Sequence, residues 1–228
     1  MTDASLNDLS ENEKLQKILV LVSSITHEMR NYLTTIKISS ETLEEMVKKS
    51  LRAVNAASYF MANMQLQIKC LFADKPVTEG FRRYSIAKNV KEVIEDYPFV
   101  AYEKELVIVE KGDFKYIGDP LLTNNILSNL IKNSLRAIKN ADKGNITIKF
   151  KTGVEYNELI FRDTATGIPA EFLPKMFRLY ESLMIAQGGS GTALAFCKMI
   201  MQSYGGDITC DSVEGEYTEF VLKFPVIK

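Results

Sequence analysis

Apolar residues recur along the first part of the chain at alternating spacings of three and four. Leu15, Ile18, Val22, Ile25, Met29, Tyr32, Ile36, Ser39, Leu43 and Met46 make one such row, widened by Leu19 and Leu33. This is the heptad seam of a helix that packs against other helices. No Gly or Pro interrupts it, and Lys48 and Lys49 suit a helix C-terminus. A second row follows at the same spacings: Leu51, Val54, Ala57, Met61, Met64, Ile68 and Leu71. Two long helices joined near Lys49 to Arg52 predict an antiparallel hairpin. One hairpin cannot bury its seams alone. Two copies forming a four-helix bundle can, so the pattern predicts a homodimer.

Asp74-Lys75-Pro76 ends the second helix and serves as a linker. The texture then changes. Ser85 is placed to cap a helix from Ile86 to about Asp96. Leu106 to Val109 and Phe114 to Ile117 read as short strands. Leu121 to Lys139 reads as a helix that opens near Pro120. Asn145 to Phe150 and Glu158 to Arg162 alternate as strands do. Thr192 to Tyr204 is helical, and Asp207 to Ser212 with Tyr217 to Pro225 forms a hairpin around Glu214-Gly215. The expected architecture is α+β. Residues 1–76 form the helical hairpin, and residues 77–228 form a domain with a mixed sheet and helices on one face.

Composition narrows the chemistry. Lys and Arg number 28 against 29 Asp and Glu, giving a formal charge of −1. That balance disfavours a nucleic-acid binder. With 46% hydrophobic and 25% charged residues, the 228-residue chain reads as a soluble globular protein. No apolar run is long enough to span a bilayer, and the polar, acidic start is unlike a signal peptide. A cytoplasmic protein is expected. Cys70, Cys197 and Cys210 are widely spaced and read as buried reduced thiols. There is one histidine, which excludes any site that needs two or three.

That histidine, His27, falls at an f position of the heptad, pointing away from the seam. Glu28 adjoins it, and Asn31 lies one turn on, toward the same side. A carboxylate beside an exposed imidazole can orient one ring nitrogen and leave the other free to attack. The amide of Asn31 could hold a water in line for the reverse hydrolysis. Taken singly, each of these residues is also compatible with a plain solvated helix surface.

Further along, Asn125, Asn129 and Asn133 recur every four residues on one face of a helix whose core stripe is Leu122, Ile126, Leu130 and Ile138. Asp163-Thr164-Ala165-Thr166-Gly167-Ile168 directly follows a strand. Gly188-Gly189-Ser190-Gly191 precedes a helix, where bare N–H groups suit a phosphate.

In this order the blocks resemble the two-component sensor histidine kinases. His27-Glu28-Met29-Arg30-Asn31 resembles their phosphoacceptor motif, with Tyr32 where proline is usual. The stretch Asn129 to Ala137 resembles their asparagine box, the aspartate loop their D-x-G-x-G element, and Phe172 to Phe177 the segment leading into a lid over ATP from about Arg178 to Gly188. The glycine loop resembles their G-x-G-L-G-L element, with Thr192 and Ala193 at two of its positions.

The resemblance implies ATP and Mg2+ as cofactors. It implies nucleotide-binding roles for Asn129, Asn133, Arg136, Asp163, Gly167, Gly189, Gly191 and Thr218. Asn133 would hold the magnesium that bridges the phosphates, and Asp163 would accept from the adenine amino group. The implied activity is ATP-dependent autophosphorylation of His27, with Glu28 as base, then transfer to an aspartate of a response regulator receiver domain. Asn31 would support the opposing phosphatase reaction. The alternative is a degenerate kinase in which Ala165 and Ala193, standing for glycines, narrow the pocket. Such a chain would be a dimeric phosphotransfer or docking module. With no sensor or receiver domain in the sequence, the chain is read as a fragment of a larger receptor or a free-standing kinase.

Overall fold

A computed structural model describes residues 81–178 and 193–227, together with Val22, Ser24, 26–29, Val47, Ser50, Val54 and Met61. The chain divides into two compact units, the first over Met1–Pro76 and the second over Val77–Gln187 and Gly191–Lys228. All the described positions of the first unit are helical. Thr26 donates its hydroxyl to the carbonyl of Val22 at 2.9 Å, one helical turn back. Val22, Val54 and Met61, all on the seams read from the sequence, are exposed in the single chain.

The second unit begins with strand β1 (Arg82–Ser85) and helix α1 (Ile86–Asp96). Ser85 caps α1 by accepting from the Lys88 N–H at 3.2 Å. A 3-10 turn (Ala101–Leu106) leads into β2 (Val107–Val109), and β3 (Lys115–Gly118) follows. Helix α2 (Pro120–Ala141) has Pro120 in its first turn, and Asp119 accepts from the Leu121 N–H at 2.8 Å. It stops at Asp142, whose φ of 51° is left-handed. Strands β4 (Ile146–Lys151) and β5 (Tyr156–Asp163), helix α3 (Ala193–Ser203), and strands β6 (Asp207–Val213) and β7 (Tyr217–Pro225) complete the unit.

Five strands make one mixed sheet in the order β2-β4-β5-β7-β6, in which only the β2–β4 pair is parallel. The alternation read from the sequence is seen directly. Leu159 and Phe161 of β5, Phe220, Leu222 and Phe224 of β7 and Ile148 of β4 are buried on one face, which meets α2 and α3. The opposite face is mixed, with Ile160 beside Val221 among polar and charged side chains. There Arg162 pairs with Glu219 at 3.1 Å and stacks 3.7 Å over the Tyr217 ring.

One expectation needs correcting. β3 does not belong to the main sheet. It pairs antiparallel with β1 in a separate two-stranded ribbon, with Tyr84 opposite Tyr116. Arg82-Arg83-Tyr84-Ser85 has no apolar alternation, so only the distant partner makes it a strand. The ribbon is anchored by Tyr116, whose ring lies 4.9 Å from that of Phe224. The Tyr116 hydroxyl is 2.8 Å from both Asn89 Oδ1 and Thr123 Oγ1.

Candidate functional site

The register of the sheet places Ile146, Asp163, Thr218 and Ser212 side by side in one row across β4, β5, β7 and β6. Three of the four are polar, and Asp163 and Thr218 are buried. A polar row inside a core costs free energy unless it is hydrogen-bonded. Here it is. The hydroxyl of Ser134, on α2, donates to Asp163 Oδ2 at 2.6 Å, and the Ala165 N–H donates to Oδ1 at 3.3 Å. Burial raises the Asp163 carboxyl above its ordinary range, opposed by the Ser134 and Ala165 hydrogen bonds and by the charge of Arg162. Ser212 accepts from the Ile168 N–H at 2.8 Å and donates to the Tyr217 carbonyl.

The loop after Asp163 is clamped on two sides. On one, the Thr164 N–H donates to the Asn145 carbonyl and the Asn145 N–H to Thr164 Oγ1, both at 3.1 Å. On the other, the Gly215 N–H donates to the Thr166 carbonyl at 2.7 Å. Gly167 has φ +61°, and a Cβ there would lie 2.1 Å from the Val213 carbonyl oxygen. Only glycine permits both that conformation and that approach. Ala165, by contrast, does not have a positive φ, and its methyl is fully enclosed by the core.

On α2 the three asparagines are unequal. Asn125 is buried, and its Oδ1 accepts from Asn129 Nδ2 at 2.8 Å. Asn129 also hydrogen-bonds the buried Cys197 thiol, which burial pushes up to about 12. Asn125 Nδ2 is buried without a protein partner. Asn133 and Arg136 are half-buried. The structure thus brings Asp163, Gly167 and Thr218 together at one end of the sheet and joins α2 to them through Ser134. Gly189 and Gly191 lie outside the described residues, as does the lid beyond Arg178. Ser134, Ser212 and Asn145 carry no signal of their own in the sequence. Ser134 stands inside the asparagine stretch, but its partner is 29 residues away, and no local pattern points to it.

In the first unit, His27 is exposed, as the heptad predicts, and Glu28 is partly buried. Asn31 lies outside the described residues.

Residues 118–228 match the family described as histidine kinase-, DNA gyrase B-, and HSP90-like ATPase. Over nearly its whole length the chain is similar to sensor histidine kinases. The autoinducer 1 sensor kinase/phosphatase LuxN of Vibrio harveyi is 31% identical over 234 residues, covering 96% of this chain and 27% of LuxN. The CAI-1 autoinducer sensor kinase/phosphatase CqsS of Vibrio cholerae is 26% identical over 244 residues, covering 96% of this chain and 35% of CqsS. The chain therefore spans about a third or less of these relatives. The solved catalytic domain of the histidine kinase ThkA superposes with a TM-score of 0.52 at 20% identity, covering 64% of this chain and 95% of that one. It shares the fold of the second unit. Among the described residues, no helix is long and apolar enough to cross a membrane.

Proposed function

We propose that residues 77–228 bind Mg-ATP and that residues 1–76 are a dimerising hairpin that accepts the γ-phosphoryl group on His27. The observation that carries this reading is the buried Asp163 carboxylate, pinned by two protein donors beside the Gly167 loop on an ATPase-family fold. A carboxylate has about four lone-pair sites, so two donors leave acceptor capacity for an exocyclic amine. Thr218, beside Asp163 in the row, completes the base end of the pocket. Asn133 and Arg136 face the phosphates, with Asn129, Gly189 and Gly191 completing the nucleotide contacts.

The donor set suits magnesium. Among the described residues no group of three or more His, Cys, Asp or Glu could cage an ion. One amide oxygen, from Asn133, matches an ion that keeps its waters and takes most of its remaining ligands from phosphates. Bound there, the metal neutralises phosphate charge.

His27 supplies the nucleophile. Its free ring nitrogen forms a bond to Pγ as the bond to the bridging oxygen breaks, and ADP leaves with the electron pair. Glu28 takes the imidazole proton. The phosphoryl group then passes to an aspartate of a response regulator, and Asn31 positions water for the reverse hydrolysis. The names of LuxN and CqsS, kinase/phosphatase in both cases, support a two-way activity. The exposed seam residues Val22, Val54 and Met61 support a homodimer. We place the chain in the cytoplasm.

The test is incubation with γ-labelled ATP and Mg2+, beside His27→Ala and Asn133→Ala variants. Acid-labile label on the wild type, lost in both variants, is the expected result. Absence of label together with absence of nucleotide binding would refute the reading. Light scattering checks the dimer.

A further inference from the structure

We propose that Ser134 is a positioning residue for nucleotide recognition: its hydroxyl holds the Asp163 carboxylate ionised and aimed as an acceptor for the purine's exocyclic amine. The proposal rests on the adenine-binding reading of Asp163.

The geometry argues for it. Ser134 is 1% exposed and Asp163 2% exposed, and they sit on different elements, α2 and β5. Their 2.6 Å contact lies in the range of a charge-assisted O–H···O⁻ bond. A hydroxyl has one hydrogen, and Ser134 commits it to Asp163 Oδ2. The second oxygen takes the Ala165 N–H. Both protein partners therefore donate, and neither asks the carboxyl to give up a proton. That matters because a buried carboxyl tends to protonate. A protonated Asp163 would present an O–H at one oxygen, and an amino group needs an acceptor.

Arg162 on β5 favours the carboxylate, but it is also held by Glu219 of β7. Cys210 on β6 feels the Asp163 charge and is a neutral thiol, pushed up to about 12 chiefly by burial. From β4 the facing residue is Ile146, and from β7 it is Thr218, neither of which ionises. Besides Ala165 and Arg162, Ser134 is thus a contact that keeps Asp163 charged, and it comes from α2.

The sign follows. Ser134 bonds the charged form and lowers the Asp163 titration point. Removing it lets burial raise that point further. Adenine binding is retained above the titration point and lost as pH falls through it, so in Ser134→Ala the loss begins at higher pH.

The experiment is calorimetric titration of the full chain with a non-hydrolysable ATP analogue and Mg2+, from pH 5 to pH 8. Wild type, Ser134→Ala and Asp163→Asn are compared, each with its melting temperature. Ser134→Ala should bind about tenfold more weakly at the acid end, with the midpoint of its pH profile moved up. At the alkaline end it should approach wild type. A merely structural defect would weaken binding equally at every pH, and that result overturns the proposal. So does a Ser134→Ala profile identical to wild type while Asp163→Asn loses binding, which leaves the adenine reading standing. Wild-type binding that is absent, or unaffected by Asp163→Asn, overturns the adenine reading and this proposal with it. If Ser134→Ala does not fold, Ser134→Cys, a weaker donor of similar size, should move the midpoint in the same direction.

Discussion

Replacing Gly167 by alanine adds one methyl group at the point where the Asp163 loop meets the end of β6. Two separable costs arise. The first is conformational, because at φ +61° an L side chain is disfavoured by about 1–2 kcal/mol. The stiffer unfolded chain returns about 0.4–1 kcal/mol of that. The second is steric. The new Cβ would lie 2.1 Å from the Val213 carbonyl oxygen and 2.7 Å from its carbon. Both atoms are backbone, so no side chain can swing aside. Relieving the contact means moving the loop or the β6–β7 turn, at about 1–3 kcal/mol by analogy with overpacked cores. The total is about 1–5 kcal/mol.

Gly215 supplies the control, since it has φ +81° but nothing within 4 Å of where a Cβ would sit. Gly215→Ala should therefore cost only the net conformational part, about 1 kcal/mol or less. The chain has no tryptophan and ten tyrosines, so urea unfolding is best followed by circular dichroism. The expected result is a clear midpoint loss for Gly167→Ala, a small one for Gly215→Ala, and weakened ATP-analogue binding only in the former. Equal losses would refute the steric argument, and unchanged nucleotide binding would refute the placement of Gly167 at the site.

Three further outcomes follow from the packing. Asn89 is fully buried, donating to the Pro120 carbonyl and Asn124 Oδ1 and lying 2.8 Å from the Tyr116 hydroxyl. Asn89→Ala should cost about 2–4 kcal/mol in urea unfolding, and a loss below about 1 kcal/mol would mean the network relaxes. Cys197 is fully buried, and burial pushes its thiol up to about 12. In a Cys70→Ser, Cys210→Ser background, a thiol-specific reagent at pH 8 should thus label the folded chain far more slowly than the urea-unfolded one; rapid labelling of Cys197 in the folded chain would contradict this. Arg162→Ala removes the Glu219 pair and the Tyr217 stack on a partly exposed face, so its cost should stay below about 1.5 kcal/mol, measured by the same unfolding transition.

What the sequence determined by itself was whatever a single element carries in its own period. The alternation of β4 and β5, the Ser85 cap and Pro120 at the start of α2 depend on neighbours within a turn or two. They could be read without knowing the fold, and so could the order of motifs. The tertiary structure decided what depends on residues distant in the chain. Arg82–Ser85 became a strand because β3 was there to pair with it, and β3 left the main sheet for that partner. Asn125 and Asn129 bonded each other along α2, so one of three equivalent-looking amides went into the core. Ser134 acquired a role only because α2 lies across the end of β5. A hydroxyl, a carboxylate and a glycine are each ordinary in a sequence. It takes the register of β4, β5, β7 and β6 to put Asp163 in a buried row, and the close packing of Gly167 on Val213 to hold its loop there, because burial and hydrogen-bond geometry are properties of the assembled layers and not of any one segment.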